Sequence, residues 1–318
     1  MSDHDLAPIV RSDMQPGSEP DFATLVAVTE RSLAESSARV YRQTYLAWEA
    51  WAVAQGLSPL DLIGPNVAAF LIDQPVTKTT RQRMLSALRS LGEMLAVLDF
   101  QNPVREMAYQ TLKRLKVPTE NVSDTERPKR ALRPTEANAV LALWDALTRQ
   151  AARNRAIIAV LLMTGLRRSE LAALRWTDID LEDGVILVRH GKGDRAREVA
   201  IYGDDAIDAL RAWQSAQGED RRYVFCTVNK GDNLGPDKPM TPTSVYRVVK
   251  QTERQADIAH FSPHDARRTL ITELLANGTP LADAQAQAGH SQGATTLRYA
   301  QAADARRRRE EGRVRFGG

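Results

Sequence analysis

The feature that most constrains the fold is a segment, residues 153–164, that is apolar on nearly every side. A helix that is apolar all round is stable only when other elements surround it, so this segment predicts the buried central helix of a domain. Gly165 ends the segment, and Arg167 and Arg168 follow it. Glu170, three residues after Arg167, is placed to orient a nearby guanidinium. An ordinary helix junction explains the acid, but it explains less well why two arginines follow a core helix.

The first third of the chain is patterned for helices alone. Residues 1–20 are polar and acidic and predict a disordered tail. Residues 21–116 place apolar side chains near the helical period and show no strand pattern, which predicts an all-α bundle. Ser36 or Ser37 is expected to cap the second helix. The expected helices of this bundle cover residues 22–33, from about 37 to 55, 66–73, 77–98 and 103–116.

A second domain follows a polar linker. Residues 117–130 have almost no apolar side chains, so they predict the linker, and the second domain spans residues 131–318. Two β-rich stretches flank a Gly-Lys-Gly-Asp turn, which indicates a hairpin. The predicted fold class is mainly α, of the α+β type, with a small antiparallel sheet in the second domain. The expected elements are helices over 134–149, 153–164, 168–174, 204–217 and 243–256, strands over 185–190 and 197–201, an extended piece over 223–228, helices opening at Pro263 and Pro280, and a last helix over 301–313.

Charge and composition narrow the class of protein. The net charge is +3, but residues 1–30 hold six acids and one base, so this segment carries −5 and the remainder +8. A basic body mildly favours a polyanionic partner. Cys226 is the only cysteine, which excludes an intramolecular disulfide and a cysteine-cluster metal site. No leader pattern is present, and the longest strongly apolar run, residues 156–163, is too short to cross a bilayer. A soluble, cytoplasmic protein without membrane contact is expected.

The most informative polar residues lie between residues 262 and 299. Pro263 opens a helix on which His264 and Arg267, three residues apart, share a face. His290 and Tyr299 are nine residues apart, so on one continuous helix they would point to opposite sides. The Ser-Gln-Gly sequence at 291–293 supplies a break that could turn both side chains toward one pocket.

Five motifs occur here in an order that resembles the phage integrase family of tyrosine recombinases, which includes Xer and Cre. They are Thr-Gly-Leu-Arg-x-x-Glu-Leu at 164–171, Gly-Lys-Gly at 191–193, Ser-Pro-His-x-x-Arg at 262–267, Gly-His at 289–290, and Tyr299. The helical first domain is similar to the family's core-binding domain, so the resemblance spans residues 21–312. It implies a simple Xer-like or Cre-like architecture. Two positions depart from the family pattern, with Arg268 where many members have a second histidine and Ala288 where a larger apolar residue is common.

The resemblance implies a site-specific DNA recombinase that works through a 3′-phosphotyrosine, with no metal, ATP or other cofactor. Tyr299 is the implied nucleophile. Arg167 and Arg267 would hold the non-bridging phosphate oxygens, with Arg168 as the competitor for the first role. Proton transfer and the remaining phosphate contact would come from three further residues. These are His264, which assists proton transfer from the tyrosine, His290, which hydrogen-bonds the phosphate, and Lys192, which protonates the departing 5′ oxygen, with Lys230 as its competitor.

Double-stranded DNA is the implied partner, bound by a protein that assembles into a tetramer on it. Accessory proteins that set the direction of recombination are possible further partners. The basic face of the fourth helix suits phosphate contacts, and the helix beginning at Thr243 is expected to read DNA. The predicted DNA-contacting residues are Lys78, Arg81, Arg83, Arg89, Arg168, Arg268, Thr243 and Arg247.

Two other functions fit parts of this pattern. A DNA-relaxing enzyme resembling type IB topoisomerases would use the same active-site chemistry without preference for a site. A non-catalytic DNA-binding protein with a recombinase fold would need no nucleophile, and the complete set of six residues argues against it.

Overall fold

The computed structural model describes residues 20–122, 130–144, 147–189, 196–218 and 220–289 of the chain. The chain divides into two compact units, Met1–Glu126 and Arg127–Gly318. The boundary between them falls inside residues 117–130. Within the described ranges, no helix is both long enough and apolar enough to cross a membrane.

The first unit is a bundle of helices around one apolar core. Aromatic rings fill the centre, where Trp48 lies edge-on to Phe70 with 5.5 Å between the ring centroids. Side-chain caps fix three of the helix starts, since Asp21 accepts from the Thr24 N–H, Thr77 from the Thr80 N–H and Asn102 from the Val104 N–H. The helices are α1 (Phe22–Arg31), α2 (Glu35–Ala54), α3 (Gly64–Asp73), α4 (Lys78–Leu98) and α5 (Pro103–Arg114).

One start in this bundle differs from the prediction. α2 begins at Glu35, and its N-cap is Ala34, which makes no side-chain cap. The expectation that Ser36 or Ser37 caps this helix is wrong, because the chain turns into the helix before reaching either serine. Tertiary packing of the Tyr45 and Trp48 side chains, both fully buried, stabilises the helix without that cap.

The second unit is built around α7 (Arg149–Thr164), whose side chains from Ala156 to Leu162 are all buried. The predicted central helix is therefore confirmed. Its surrounding helices are α6 (Pro134–Ala142), α8 (Arg168–Ala172), α9 (Asp204–Gln217), α10 (Pro242–Gln255), α11 (Pro263–Ala276) and α12 (Leu281–Ala288).

A small antiparallel sheet completes this unit. Its strand order is β1 (Ile179–Asp180), β2 (Val185–Val188) and β3 (Arg197–Ala200). In the β2–β3 pair, Val188 lies opposite Arg197 and Ile186 opposite Val199. The predicted hairpin is thus present up to residue 189 and from residue 196, while its tip lies outside the described residues.

One prediction for this unit needs correction, and one stays open. α6 ends at Ala142 rather than 149, because Thr148 caps a new helix by accepting from the Ala151 N–H. The extended piece predicted over residues 223–228 makes isolated β-bridges at both ends, Arg175 with Tyr223 and Val228 with Leu234. β1 was not predicted, since two residues are too few to show alternation. The predicted helix over 301–313 lies outside the described residues.

Candidate active site

The junction between α7 and α8 sets the position of the first arginine. Gly165 ends α7 in the left-handed region, with φ at +65°. Thr164 turns its hydroxyl back to the Val160 carbonyl and accepts from the Leu166 N–H at 3.2 Å. This turn makes Arg167 the N-cap residue of α8, at the mouth of a cleft.

Arg167 is held in place by two neighbours. Its Nη1 donates to Glu170 Oε1 at 2.6 Å, and its backbone N–H donates to Glu170 Oε2 at 2.8 Å. Its Nη2 donates to the carbonyl of Gly289 at 2.9 Å. The predicted orienting role of Glu170 is therefore confirmed by contact. An arginine carries five N–H donors, so these side-chain bonds fix the guanidinium and leave donors for a ligand.

Glu170 is buried and ionised. Its side chain is only 3% exposed, and it pairs with both Arg167 and Arg197. Burial by itself would raise the pKa of this carboxyl, but the hydrogen bonds from Arg197 and from the Arg167 backbone N–H lower it below the ordinary value. The anion is thus stabilised by two guanidiniums.

α11 supplies the second arginine and a histidine. Ser262 caps this helix by accepting from the Asp265 N–H, and Pro263 occupies its first turn. Arg267 is buried, with 2% exposed, and its Nη1 donates to the Gly165 carbonyl at 2.6 Å. His264 lies one turn earlier on the same helix, as predicted.

His264 has a lowered pKa. Burial of the imidazole is the largest cause, and the positive charges of Arg268 and Arg267 add to it, while Asp265 opposes it. Because the residue as a whole is exposed to solvent at the cleft, its imidazole is only partly buried. The lowered pKa therefore reflects the surrounding cations as well as burial. A neutral imidazole of this kind can accept a proton.

These residues converge on one cleft. It has a volume of about 260 Å³ and contains Arg167 and His264 beside Arg267. Arg168 lies over the ring of Tyr246, 5.9 Å from its centroid. The structure thus brings together three of the six predicted catalytic residues. The complete lining is Leu166, Arg167, Arg168, Tyr246, Ser262, Pro263, His264 and Arg267.

The end of α12 completes the surroundings of Arg167. Gln287 is buried and makes three hydrogen bonds, donating to the carbonyls of Thr164 and Ala200 and accepting from the Ala200 N–H. It thereby joins α12 to β3 and to the end of α7. Gly289 then adopts φ of +56° and turns its carbonyl to Arg167.

The other three predicted catalytic residues, Lys192, His290 and Tyr299, lie outside the described residues. Their roles stay predictions. Within the described ranges, no group of three or more histidine, cysteine, aspartate or glutamate residues is arranged to hold a metal ion.

The predicted DNA-contacting residues fall into two groups. Lys78, Arg83, Arg168, Thr243 and Arg247 are exposed, as a DNA contact requires. Arg81 is fully buried, and its guanidinium donates to the carbonyls of Gln74, Pro118, Glu120 and Asn121. Its assignment as a phosphate contact is wrong, because those carbonyls already occupy it.

Arg89 and Arg268 are also engaged by the protein. Arg89 donates to the carbonyls of Leu112, Lys113 and Leu115, so its role is to hold the end of α5. Arg268 Nη1 lies 3.3 Å from Asp265 Oδ1, and its side chain is 13% exposed. Both assignments as DNA contacts are therefore withdrawn in favour of these internal partners.

Sequence reasoning missed two residues of the site. Arg197 was not predicted, although it lies two residues before the buried Val199 and therefore on the inward face of β3. Gln287 was not predicted either. Its position three residues after Ala284, on the same helix face, is the signal that the sequence offers.

The chain matches known proteins over most of its length. The model of the phage integrase family matches residues 130–306. Tyrosine recombinase XerC of Xanthomonas campestris pv. campestris (strain B100) is 31% identical over 279 residues, which cover 85% of this chain and 80% of the relative. Tyrosine recombinase XerD of Vibrio vulnificus (strain YJ016) is 31% identical over 292 residues, which cover 87% and 88%.

Solved structures share the fold. The XerH site-specific recombinase in its post-cleavage complex has a TM-score of 0.66 at 21% identity, covering 92% of this chain and 84% of that one. The Tn1549 transposon integrase bound to transposon right end DNA has a TM-score of 0.62 at 20% identity, covering 92% and 99%. These likenesses confirm the predicted mainly α fold with its small antiparallel sheet.

The class of protein follows from the helical fold, from the cleft that contains Arg167, His264 and Arg267, and from the similarity to known proteins. The chain belongs to the phage integrase family. Within that family it is a tyrosine recombinase, an enzyme of site-specific recombination, and this function is favoured over the two alternatives.

Proposed function

We propose that this recombinase cuts and rejoins duplex DNA through a covalent bond between Tyr299 and a 3′-phosphate. The observation that supports the proposal is the cleft itself. Arg167 and Arg267 come from separate elements, are each fixed by a backbone carbonyl, and lie beside the low-pKa His264. Two fixed guanidiniums match the charge and geometry of a phosphodiester better than two flexible ammonium groups would.

The reaction follows from this arrangement. The Tyr299 oxygen attacks the scissile phosphorus and gives up its proton, which His264 helps to remove. Arg167 and Arg267 stabilise the negative charge that develops on the non-bridging oxygens, and His290 donates a further hydrogen bond. The bond to the 5′ oxygen breaks, and Lys192 supplies the proton that this oxygen needs to leave as a hydroxyl.

Strand exchange is the reverse of this step. A 5′ hydroxyl from a second duplex attacks the phosphotyrosine, forms the new phosphodiester and releases the tyrosine. The phosphotyrosine conserves the energy of the broken bond, and the cleft arginines supply the charge compensation. The proposed reaction therefore includes neither ATP nor a metal ion.

Duplex DNA and self-association complete the proposal. Related XerH has been solved bound to difH substrate, and the exposed Lys78, Arg83, Arg168, Thr243 and Arg247 are the residues we propose for the contact here.

Four copies on two duplexes would carry out the exchange, with accessory proteins as possible directional partners. We also propose that the protein works in the cytoplasm, because it acts on cellular DNA. Light scattering with and without cognate DNA tests the tetramer, and a complex that never exceeds a dimer contradicts it.

Covalent capture tests the mechanism. The purified protein is incubated with nicked duplexes from its own flanking genomic region, in the presence of a chelator, and run on a denaturing gel. A slow, protease-sensitive band is expected with the unaltered chain. The band should be absent with Tyr299→Phe and strongly reduced with Arg167→Ala or Arg267→Ala. A band that survives Tyr299→Phe would show that another residue is the nucleophile.

A further inference from the structure

Arg197 carries a set of contacts that the proposed reaction does not yet use. It lies on β3, and its side chain is 15% exposed. Nη1 donates to Glu170 Oε1 at 3.0 Å and Nη2 to Glu170 Oε2 at 2.9 Å. This is the two-bond geometry in which a guanidinium recognises a carboxylate most strongly.

Glu170 binds Arg167 as well, so Arg197 restricts the position of Arg167 through the Glu170 carboxylate. The same two carboxylate oxygens accept from the Arg167 side chain at 2.6 Å and from its backbone N–H at 2.8 Å. If Arg197 were absent, the carboxylate would keep only the Arg167 contacts while remaining buried. It could then rotate or take up a proton, and either change would release the Arg167 guanidinium from its position.

Arg197 also packs against the second anchor of Arg167. A Cβ built on Gly289 would lie 2.7 Å from Arg197 Nε, so the two residues are in close contact. The Gly289 carbonyl is the acceptor for Arg167 Nη2. Arg197 therefore borders both groups that hold Arg167, the Glu170 carboxylate from one element and the Gly289 carbonyl from another.

We propose that Arg197 is a positioning residue for recombination, which fixes Glu170 and Gly289 so that the Arg167 guanidinium faces the scissile phosphate. The inference rests on the proposed function, because it assigns the phosphate contact to Arg167. Arg197 itself does not touch the reacting atoms. It acts at the base of the hairpin that carries Lys192, next to the residue that precedes His290.

The alternative is that Arg197 only stabilises the fold by neutralising a buried acid. The chain contains a matched control for that role. Arg189, just past β2 of the same sheet, donates through Nε to Asp178 Oδ1 at 2.6 Å, and the Asp178 side chain is 4% exposed. Arg189→Met therefore removes an arginine from a buried carboxylate other than Glu170 in the same part of the fold.

The first test is the rate of single-turnover covalent cleavage at saturating protein, measured together with DNA affinity. Arg197→Met is expected to slow cleavage by about tenfold to 100-fold, the range seen when partners that orient metal ligands are removed. Its affinity for DNA should change by less than about threefold. The Arg167 guanidinium, which loses its position in this variant, makes only a small part of all the contacts between the protein and the DNA phosphates. Arg197→Lys keeps the charge but not the two-bond geometry, and should recover part of the rate.

The second test is the dependence of cleavage on pH. Loss of Arg197 removes the strongest pKa-lowering bond of Glu170 while burial remains, so the pKa of this carboxyl rises. A carboxylate whose pKa is depressed supports the site above that pKa and fails as the pH falls through it. The acid limb of the cleavage profile is therefore expected to move to higher pH in Arg197→Met and Arg197→Lys. It should stay in place in Arg189→Met.

The outcomes separate this inference from the proposed function. If the unaltered chain forms no adduct, the proposed mechanism fails before Arg197 is tested. If the unaltered chain cleaves and Arg197→Met cleaves at the rate and pH profile of Arg189→Met, the positioning role is overturned. Should Arg197→Met fail to fold, as judged by circular dichroism, the comparison of Arg197→Lys with Arg189→Lys carries the decision. An unshifted acid limb in Arg197→Lys would then reject the inference.

Discussion

Two glycines determine how the arginines of the cleft are held. The Gly165 carbonyl accepts from Arg267, and the Gly289 carbonyl accepts from Arg167. Both glycines adopt positive φ, at +65° and +56°, a region that costs other residues conformational energy. The sequence predicts Gly165 as the end of a helix, because that position favours glycine. It cannot predict that the carbonyl there serves an arginine 102 residues away.

Gly165→Ala is expected to destabilise the second unit and impair cleavage. The left-handed backbone costs about 1–2 kcal/mol for alanine. The added Cβ would also lie 3.3 Å from Leu270 Cδ2, which must shift by a few tenths of an ångström, and would come into contact with Arg267 Cγ at 3.4 Å. Urea unfolding and single-turnover cleavage measure the two effects. Gly278→Ala, at φ of +86° with nothing within 4 Å of its Cβ, is the control. Equal cleavage by both variants would contradict the role of Gly165.

His264 should titrate below the ordinary pKa of histidine. Its depressed pKa means that the unfolded chain binds a proton more readily than the folded one. This residue therefore contributes stability above the unfolded-state pKa, and the contribution is lost as the pH falls through the folded-state pKa. Histidine NMR titration measures the value directly. In Arg268→Met the pKa should rise, because one of the cations that lower it is gone, and an unchanged value would contradict this electrostatic origin.

At the scale of elements, α4 shows how one helix divides its arginines between two roles. Arg81 lies three and four residues before Met84 and Leu85, so it falls on the same face as the buried leucines of α4. Its hydrogen bonds to residues 118, 120 and 121 fix the chain that leaves α5. Arg83 is exposed on the same helix. Helical periodicity in the sequence already places Arg81 on the buried face of α4 and Arg83 on the exposed face. A count of basic residues does not distinguish the two.

Arg81→Met should therefore affect stability, whereas Arg83→Met should affect DNA binding. Arg81→Met is expected to destabilise the chain by about 3 kcal/mol or more, because each buried carbonyl that loses its donor costs roughly 1–3 kcal/mol. Arg83→Met should stay within about 0.5 kcal/mol of the unaltered chain. It should instead reduce the salt dependence of DNA binding by about one unit in the slope of log K against log salt. Urea unfolding and a salt titration of binding distinguish the two residues.

The limits of prediction from sequence are also clearest at this scale. α9 matches its predicted range of 204–217, because Asp204 and Gly218 mark both ends of a strongly patterned segment. The predicted helix over 134–149 failed because Leu143 and Trp144 continue the apolar pattern past Ala142, where the helix ends. β1 could not be predicted, because its two residues gain their strand geometry from pairing with Val185 and Ile186.

At the scale of the whole molecule, charge is unevenly distributed along the chain. Residues 1–19 hold four acids and Arg11, so this segment carries −3 of a chain whose net charge is +3. A chain lacking these residues has a net charge of +6. Long-range attraction to a polyanion grows with net charge and is screened by salt.

Deletion of residues 1–19 is expected to strengthen non-specific DNA binding at low salt. The gain should disappear as the ionic strength rises above about 0.15 M, where the screening length is about 8 Å. Fluorescence anisotropy with random duplexes at several salt concentrations measures it. A chain with Asp3, Asp5 and Asp13 changed to asparagine serves as the control, since it removes the same net charge without shortening the protein. Unequal behaviour of the two would mean that length, not charge, is responsible.

The three hydrogen bonds of Gln287 have a further consequence for the position of Gly289. They attach the last turn of α12 to β3 and to the carbonyl that closes α7, and Gly289 follows two residues later with its own carbonyl bound. The chain therefore passes into residue 290 from a point anchored to the core of its unit. The acceptor of Arg167 is therefore mechanically linked to β3 and α7, and a substitution that loosens Gln287 is transmitted to the Arg167 guanidinium.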